Sequence, residues 1–520
     1  MIPGELMAES PANTNTIVVI PTAGLGSRMG HLTENLNKSL LPYKNKPVIS
    51  HIIDQFPKDT RFIIPVGHFS DQVIYFLTLS YSNRQFEFVT IDDYSSNNSG
   101  PGYTFTKCIN KIDAPFWYIP CDTYFDEIID NVPDIDTVFV KKVPIEQSSM
   151  YTMFKIDDNK IVDMTFKQMQ DQQWSALTGV MYIHDWQAFI NRLLNQSSPE
   201  IVWAISNGTN VKPLDTWLDF GNYNIYLEAL NKSQLYNFSK SDEITYICNG
   251  KVLKWYNDRA VAEKKLKKIN NHRNLIPSNC QQHGQWLAYD YVLGDVVYTN
   301  HTQQILMSLL AWLDNSVWNT IDIDISNSSM LFYKTKTIQR INKFLEKYPN
   351  IEHASMINGR KVKHWEYYIS SIDWDLITKI NLPSFIHGDL HFDNIIMNKE
   401  FEFKIIDWRH EFADLVELGD IYYDLAKLIG GFIINYSKIK QNNFTYTIND
   451  GIVTLDVPCI KDYREYIRIV KEFIESKGWN YDKVKLLVPI IFWNMSPLHT
   501  PPFDKFLWYL GIMLFEEFDI

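Results

Sequence analysis

Short apolar runs punctuate the first part of the chain: Thr16 to Pro21 (TIVVIP), Arg61 to Val66 (RFIIPV), Phe116 to Pro120 (FWYIP), Thr137 to Val140 and Gly179 to Ile183 (GVMYI). Each has the length of one buried strand, and the stretches between them suit helices. The alternation predicts an α/β layer sheet over roughly 14–232. A second pattern begins near Tyr236. Ile244 to Tyr256 (ITYICNGKVLKWY) reads as a hairpin turning at Asn249-Gly250, and Arg259 to Asn270 as a helix whose KKLKK run is a solvated face. From Gln303 onward the pattern is mostly helical, broken by the strand-like Phe403 to Asp407 (FKIID).

Composition narrows this picture. With 520 residues, two to four domains are expected, and 45% hydrophobic with 14% aromatic residues supply large cores. The net charge of −12 disfavours broad attachment to nucleic acid or an anionic membrane. Five scattered Cys without a C-x-x-C pair read as reduced thiols. Residues 1–13 read as a flexible polar tail without signal-peptide character. The apolar run Phe506 to Phe515 is shorter than the ~18–20 residues that cross a bilayer. The expectation is a cytoplasmic protein that binds no nucleic acid and does not insert in membranes.

Candidate chemistry begins after the first strand, at Ala23-Gly24-Leu25-Gly26-Ser27-Arg28-Met29. Two glycines let backbone N–H groups approach a phosphate, and Arg28 adds charge. The loop is neither a dinucleotide fingerprint nor a Walker loop. Its continuation, Asn37-Lys38-Ser39-Leu40-Leu41-Pro42 and Asn45-Lys46-Pro47, resembles the signature of the sugar-phosphate nucleotidyltransferases. Ile119-Pro120-Cys121-Asp122, Lys167, Thr178-Gly179-Val180-Met181-Tyr182 and Trp217-Leu218-Asp219-Phe220-Gly221-Asn222 resemble later segments of that family, in order, over about 200 residues.

The resemblance implies a Rossmann-like domain with a mixed sheet. Nucleotide binding would fall to Ala23, Gly24 and Gly26, Mg²⁺ to Asp122 and Asp219, charge stabilisation to Arg28 and Lys38, and the acceptor phosphate to Lys167. Gly100-Pro101-Gly102 is either an approach to the base or a turn.

A second constellation is Phe385-Ile386-His387-Gly388-Asp389-Leu390-His391-Phe392-Asp393-Asn394, followed by Ile405-Ile406-Asp407-Trp408-Arg409. Its Asp-x-x-x-x-Asn spacing is that of a kinase phosphotransfer loop. His-Gly-Asp and Asp-Trp-Arg make 236–520 resemble the aminoglycoside phosphotransferase and choline kinase group. The implied fold is a protein-kinase-like, two-lobed α+β domain, with a small lobe at about 236–298 and a helical large lobe at about 299–520. Asp389 would take the acceptor proton, and Asn394 and Asp407 would hold Mg²⁺. Lys254 would contact nucleotide phosphates with Glu263 as its ion-pair partner, and Tyr291 would lie in the adenine hinge. Asp420 and Asp424 would buttress the loop, and a Gly-rich lid is absent from Phe238 to Asn249.

Together these readings imply a bifunctional enzyme. ATP would phosphorylate a small alcohol or sugar, and CTP, or another nucleoside triphosphate, would activate the phosphomonoester for capsule or surface polysaccharide. One alternative is choline kinase joined to phosphocholine cytidylyltransferase. Another is that one domain is an inactive nucleotide sensor. The stretch Pro489 to Phe515 either completes the second core or forms a homo-oligomer contact.

Overall fold

Nine strands of the first part hydrogen-bond into one mixed sheet. In the computed structural model, which describes residues 16–96, 99–126, 132–196, 200–232, 242–441 and 443–519, the central strand of the sheet is Trp174–Ile183, and Ile17–Val19 lies two strands away from it. The expected tail at 1–13 and the junction placed between 232 and 236 lie outside the described residues. Ile17–Val19 runs parallel to both Arg61–Val66 and Phe116–Tyr118. It is buried throughout, which explains its unbroken apolar sequence. Trp174–Ile183 pairs antiparallel with Phe116–Tyr118 and carries the sheet onward to Thr137–Lys141.

Four strands are absent from the expected set: Gln85–Thr90, Thr152–Asp157, Lys160–Phe166 and Asn210–Pro213. Gln85–Thr90 and Lys160–Phe166 are largely half-exposed, so their sequences lack the apolar run that marks a strand buried on both faces.

The chain divides into two compact units. Of the described residues, the first comprises those up to 232 together with 242–257 and 283–288, and the second comprises those in 258–282 and from 289 on. The hairpin Glu243–Cys248 and Lys251–Tyr256 forms as expected, with Asn249 (φ 48°) and Gly250 (φ 71°) both left-handed at the turn. It groups with the first unit, not with the rest of the segment assigned to a small lobe at 236–298. The reason is apolar packing: the Phe76 ring lies 5.7 Å from that of Tyr246 and 5.5 Å from that of Trp286. Tyr246 Oη also donates to Leu40 O, and Asn249 Nδ2 donates to Ser80 O at 2.7 Å.

The second unit is mainly helical. Its centre is the helix Ile421–Ile433, buried at every position, which packs against Tyr481–Met495. Phe503–Glu517 packs on the latter, so the Trp- and Phe-rich C-terminal stretch builds the core of its own unit. A three-stranded sheet, Asp295–Val296, Ile395–Met397 and Phe403–Ile405, carries the loop at 385–394 and its successor at 405–409. The hairpin Thr445–Asn449 and Ile452–Asp456 interrupts the helical run expected there. Among the described residues, no helix is long and apolar enough to cross a membrane.

Candidate active sites

The first site forms at the C-terminal ends of the adjacent parallel strands Ile17–Val19 and Phe116–Tyr118, where open α/β sheets bind ligands. A cavity of about 380 Å³ opens there. Ala23, Gly24, Arg28, Lys38, Asp122, Lys167 and Asp219 all line it, so the structure brings together residues from five segments of the chain. Gly26 lies in the loop behind them, at φ 70°, where a Cβ would come within 3.2 Å of Lys38 Cβ. The amides of Gly24, Leu25 and Gly26 donate to no group among the described residues, which leaves three adjacent donors for a phosphate.

Asn37 sets the position of Lys38. Its buried carboxamide donates to Thr22 O (3.0 Å) and His68 O (2.7 Å) and accepts from Ser39 N and Ser39 Oγ. Lys38 Nζ then reaches Asp122 Oδ2 at 2.8 Å. Burial works to raise the Asp122 carboxyl, but the Lys38 ammonium and its hydrogen bond outweigh it and hold the group below the usual carboxylate range.

Asp219 differs. Burial, and then the neighbouring Asp122 charge, push its carboxyl up to about 6. The two carboxylates converge because Thr123–Tyr124 pairs antiparallel with Leu218–Asp219, and Gly221 leaves the space between them open. A Cβ at Gly221 would lie 2.5 Å from Asp122 Oδ2 and 2.9 Å from Asp219 Oδ1.

Lys167 takes a left-handed backbone (φ 51°), and its Nζ lies 4.7 Å from the Phe166 ring centroid. Gly179 (φ 86°) sits where any Cβ would strike Pro120 Cγ at 2.5 Å, which locks the Thr-Gly step against the strand end that carries Asp122. The Gly100-Pro101-Gly102 segment opens the helix Pro101–Thr106, and Gly100 and Pro101 line the cavity. Sequence reasoning missed the walls Tyr94, Tyr151 and Trp217. Trp217 alone carried a signal, as part of the Trp-x-Asp segment.

The second site is built on the loop 387–394. The carboxylate of Asp424, fully buried, accepts from the backbone N–H groups of His387 (2.8 Å) and Gly388 (2.7 Å). Burial is also what pushes its carboxyl up to about 6. His387 Nε2 donates to Ile406 O at 2.6 Å, and its Nδ1 accepts from Asp389 N at 3.1 Å. Burial drives its pKa down to about 3, so the ring ties the two loops together in its neutral form, with its one proton on Nε2. Asp420 is buttressed in turn by Lys483 Nζ (2.6 Å) and Tyr333 Oη (2.8 Å), the first pair being wholly excluded from solvent.

Asp389 keeps 40% of its side chain exposed and is paired with Lys427 Nζ at 2.6 Å. Lys427 counters the effect of burial and holds this carboxylate well below its ordinary pKa. Nothing in the sequence motif singled out Lys427, whose role depends on helix Ile421–Ile433 passing behind the loop. Asn394 Nδ2 donates to Asp389 O at 2.9 Å, and Ile406 N donates to Asn394 O at 2.9 Å, which sets Asp407 (φ 60°) beside Asn394.

The remaining expectations distribute differently. Lys254, on the hairpin of the first unit, is buried and paired with Glu243 at 3.0 Å. Glu263 is engaged by Arg259 one turn away at 2.7 Å. Tyr291 is exposed, and the preceding Asp290 accepts from Ser278 and Asn279.

Both sites suit Mg²⁺ by donor chemistry. The first offers two converging carboxylates across a gap that a Cβ would fill. The second offers the Asp407 carboxylate beside the Asn394 carboxamide. No cluster of three or more His, Cys, Asp or Glu positioned for a metal occurs among the described residues. One or two side-chain oxygens, completed by water and phosphate, is the usual protein contribution to Mg²⁺.

Comparison with known proteins gives separate matches for the N-terminal region and for a segment toward the C-terminus. Residues 374–446 match the phosphotransferase enzyme family, APH. The bifunctional protein GlmU of Methanococcus vannielii is 25% identical over 186 residues, 35% of this chain and 43% of that protein, so the chain spans less than half the length of this relative. Among solved structures, a UDP-glucose pyrophosphorylase complexed with UDP-glucose is 18% identical with a TM-score of 0.36, covering 42% of this chain and 98% of that one. CTP:phosphocholine cytidylyltransferase from Streptococcus pneumoniae (LicC) is 19% identical with a TM-score of 0.34, covering 42% and 99%. The chain thus resembles nucleotidyltransferases in its N-terminal region and the APH phosphotransferases toward its C-terminus.

Proposed function

We propose that the protein is a bifunctional transferase that phosphorylates a small alcohol or sugar with ATP and then joins the product to a nucleotide. In the first step the acceptor hydroxyl oxygen bonds to the γ-phosphorus of ATP and its proton passes to Asp389. The bond from that phosphorus to the bridging oxygen breaks, and ADP leaves. In the second step an oxygen of the new phosphomonoester attacks the α-phosphorus of a nucleoside triphosphate, and pyrophosphate leaves. The observation that carries the reading is the convergence of Asp122, Asp219, Lys38, Arg28 and Lys167 on one cavity, since that step gathers negative charge that cations and a metal must offset.

In this reading the free amides of Gly24 to Gly26 and Arg28 hold the triphosphate, and Lys167 receives the acceptor phosphate. Asp122 and Asp219 would hold Mg²⁺ at the first site, and Asn394 and Asp407 at the second; bound there, the ion neutralises phosphate charge. Lys38 keeps Asp122 ionised, and Lys427 does the same for Asp389. Lys254 and Tyr291 are assigned to ATP. CTP is favoured as the activating triphosphate, the product is a precursor of surface polysaccharide, and the enzyme works in the cytoplasm.

A second reading, with choline as acceptor, is favoured by the aromatic pair Tyr151 and Trp217 on the cavity wall, with ring centroids 5.4 Å apart. Mass spectrometry of full-length protein with ATP, CTP, UTP, GTP, Mg²⁺ and pooled sugars, polyols, choline and ethanolamine tests both. A nucleotide-linked product that requires two different triphosphates is the expected result. Phosphorylated alcohol alone would sink the sequential scheme.

A further inference from the structure

In the second unit, three cationic side chains gather beside the Asp389 loop without a carboxylate partner among the described residues. Lys336 Nζ sits 3.1 Å from the centroid of the Phe332 ring, and the Arg409 guanidinium lies 5.1 Å from the same centroid. Arg340, one turn along the helix Lys336–Lys347, donates to the carbonyl of Asn494 at 2.6 Å. Arg409 Nε donates to the backbone carbonyl of Glu411 at 2.9 Å. The carboxylate of Glu411 is itself taken by Lys264 (2.6 Å) and His410 (3.3 Å).

These cations are tied to the phosphotransfer loop by a closed circuit of contacts. Gly388, the residue before Asp389, has no room for a Cβ because Arg409 Cβ would lie 2.7 Å from it. On the other side, Lys427 holds Asp389 at 2.6 Å. One turn before Lys427, the Tyr423 ring lies 5.8 Å from Lys336 Nζ and packs edge-on against Phe332 at 4.9 Å. Aromatic faces offset part of the cost of holding a cation in such a place, but they do nothing for repulsion between cations. That repulsion shows in Lys336, whose pKa burial, and then the charges of Arg409, Arg340 and Lys427, push well below the usual lysine value. Arginine and lysine held free of carboxylates are the groups that receive a carboxylate or phosphate oxyanion.

We propose that the alcohol phosphorylated at Asp389 carries an anionic group, a carboxylate or a phosphate, and that Lys336, Arg409 and Arg340 receive it. This rests on the reading of the second unit as an alcohol kinase and specifies its substrate class. A cationic acceptor such as choline would be repelled from the same place, and a neutral polyol would leave the cations uncompensated.

The test uses full-length protein with ATP and Mg²⁺ and four small alcohols of similar size: glycerol, choline, D-glycerate and glycerol 3-phosphate. ADP release is measured for each, with calorimetric binding of the two anions alongside. The expected result is a kcat/KM at least tenfold higher for an anionic alcohol than for glycerol or choline. Preference for glycerate identifies a carboxylate, and preference for glycerol 3-phosphate a phosphate. Lys336→Met should raise the KM for that acceptor at least tenfold with the KM for ATP unchanged, and Lys336→Arg should restore it.

Choline or glycerol performing as well as the anions would overturn the inference. A Lys336→Met effect on the KM for ATP alone would do the same, since it would assign the cations to the nucleotide. Anion binding that depends on Lys336, without turnover of any alcohol, would support the anion site and sink the kinase reading. No anion binding and no turnover would sink both.

Discussion

The carboxylates of Asp122 and Asp219 face each other across the missing side chain of Gly221, 2.5 Å and 2.9 Å from where a Cβ there would stand. A small residue one step past Phe220 thereby decides whether two acids can share a cation. Gly221→Ala should reduce pyrophosphate release by roughly 100-fold or more, as expected when a charge-stabilising site is displaced. ADP release at the second site should be untouched. Assaying both products on one preparation checks this, and equal loss of the two would contradict independent sites.

Lys427 holds Asp389 ionised at 2.6 Å. If Asp389 acts as the proposed base, Lys427→Met should lower kcat for ADP release by roughly 100-fold, the low end of what a positioned acid or base contributes. Without that ammonium the Asp389 pKa rises, so the acid limb of the pH–rate profile should move to higher pH. A profile unchanged in shape would assign Lys427 a packing role only.

His387 is neutral in the fold, with a pKa depressed by burial from 6.5 to about 3. A group whose folded pKa is depressed contributes stability above its unfolded pKa and loses it as pH falls toward the folded value. Between pH 6.5 and 3 unfolding therefore takes up one proton here, worth about 1.4 kcal/mol per pH unit. Denaturant titrations of wild type and His387→Gln across this window should differ by that slope. Parallel curves would mean that the imidazole is protonated in the native state.

Lys483 and Asp420 form an ion pair from which solvent is excluded on both sides. Lys483→Met leaves a buried carboxylate with Tyr333 but without its cation, and should cost about 3–5 kcal/mol. The loss should appear as a lower unfolding midpoint of the second unit, with pyrophosphate release by the first retained. A change under 1 kcal/mol would show that Asp420 becomes protonated or hydrated at little expense.

Much of the fold was legible because strands buried on both faces must be apolar throughout. Ile17–Val19, Arg61–Val66 and Phe116–Tyr118 were visible for that reason, and the Asn249-Gly250 turn because two successive left-handed residues demand that chemistry. Gln85–Thr90 and Lys160–Phe166 were not visible, since half-exposed strands carry mixed side chains that satisfy no period clearly. The Lys254–Glu243 pair was not visible for a different cause: strand register sets it, since Lys254 stands opposite Thr245 and Glu243 lies two places along on the same face.

By itself the sequence determined which residue types could serve each chemistry: a Gly-containing loop, scattered lysines and carboxylates, and an Asp-x-x-x-x-Asn loop followed by a strand-end Asp. Local spacing carries that information because loops and strand ends act over a few residues. Only the tertiary structure decided which charges are paired and which are left free. Lys38 on Asp122 and Lys427 on Asp389 span 84 and 38 positions, and the group without a carboxylate partner among the described residues joins Lys336 and Arg340 of one helix to Arg409 of a distant loop. Coulombic energy depends on distance and burial, and neither is written along the chain.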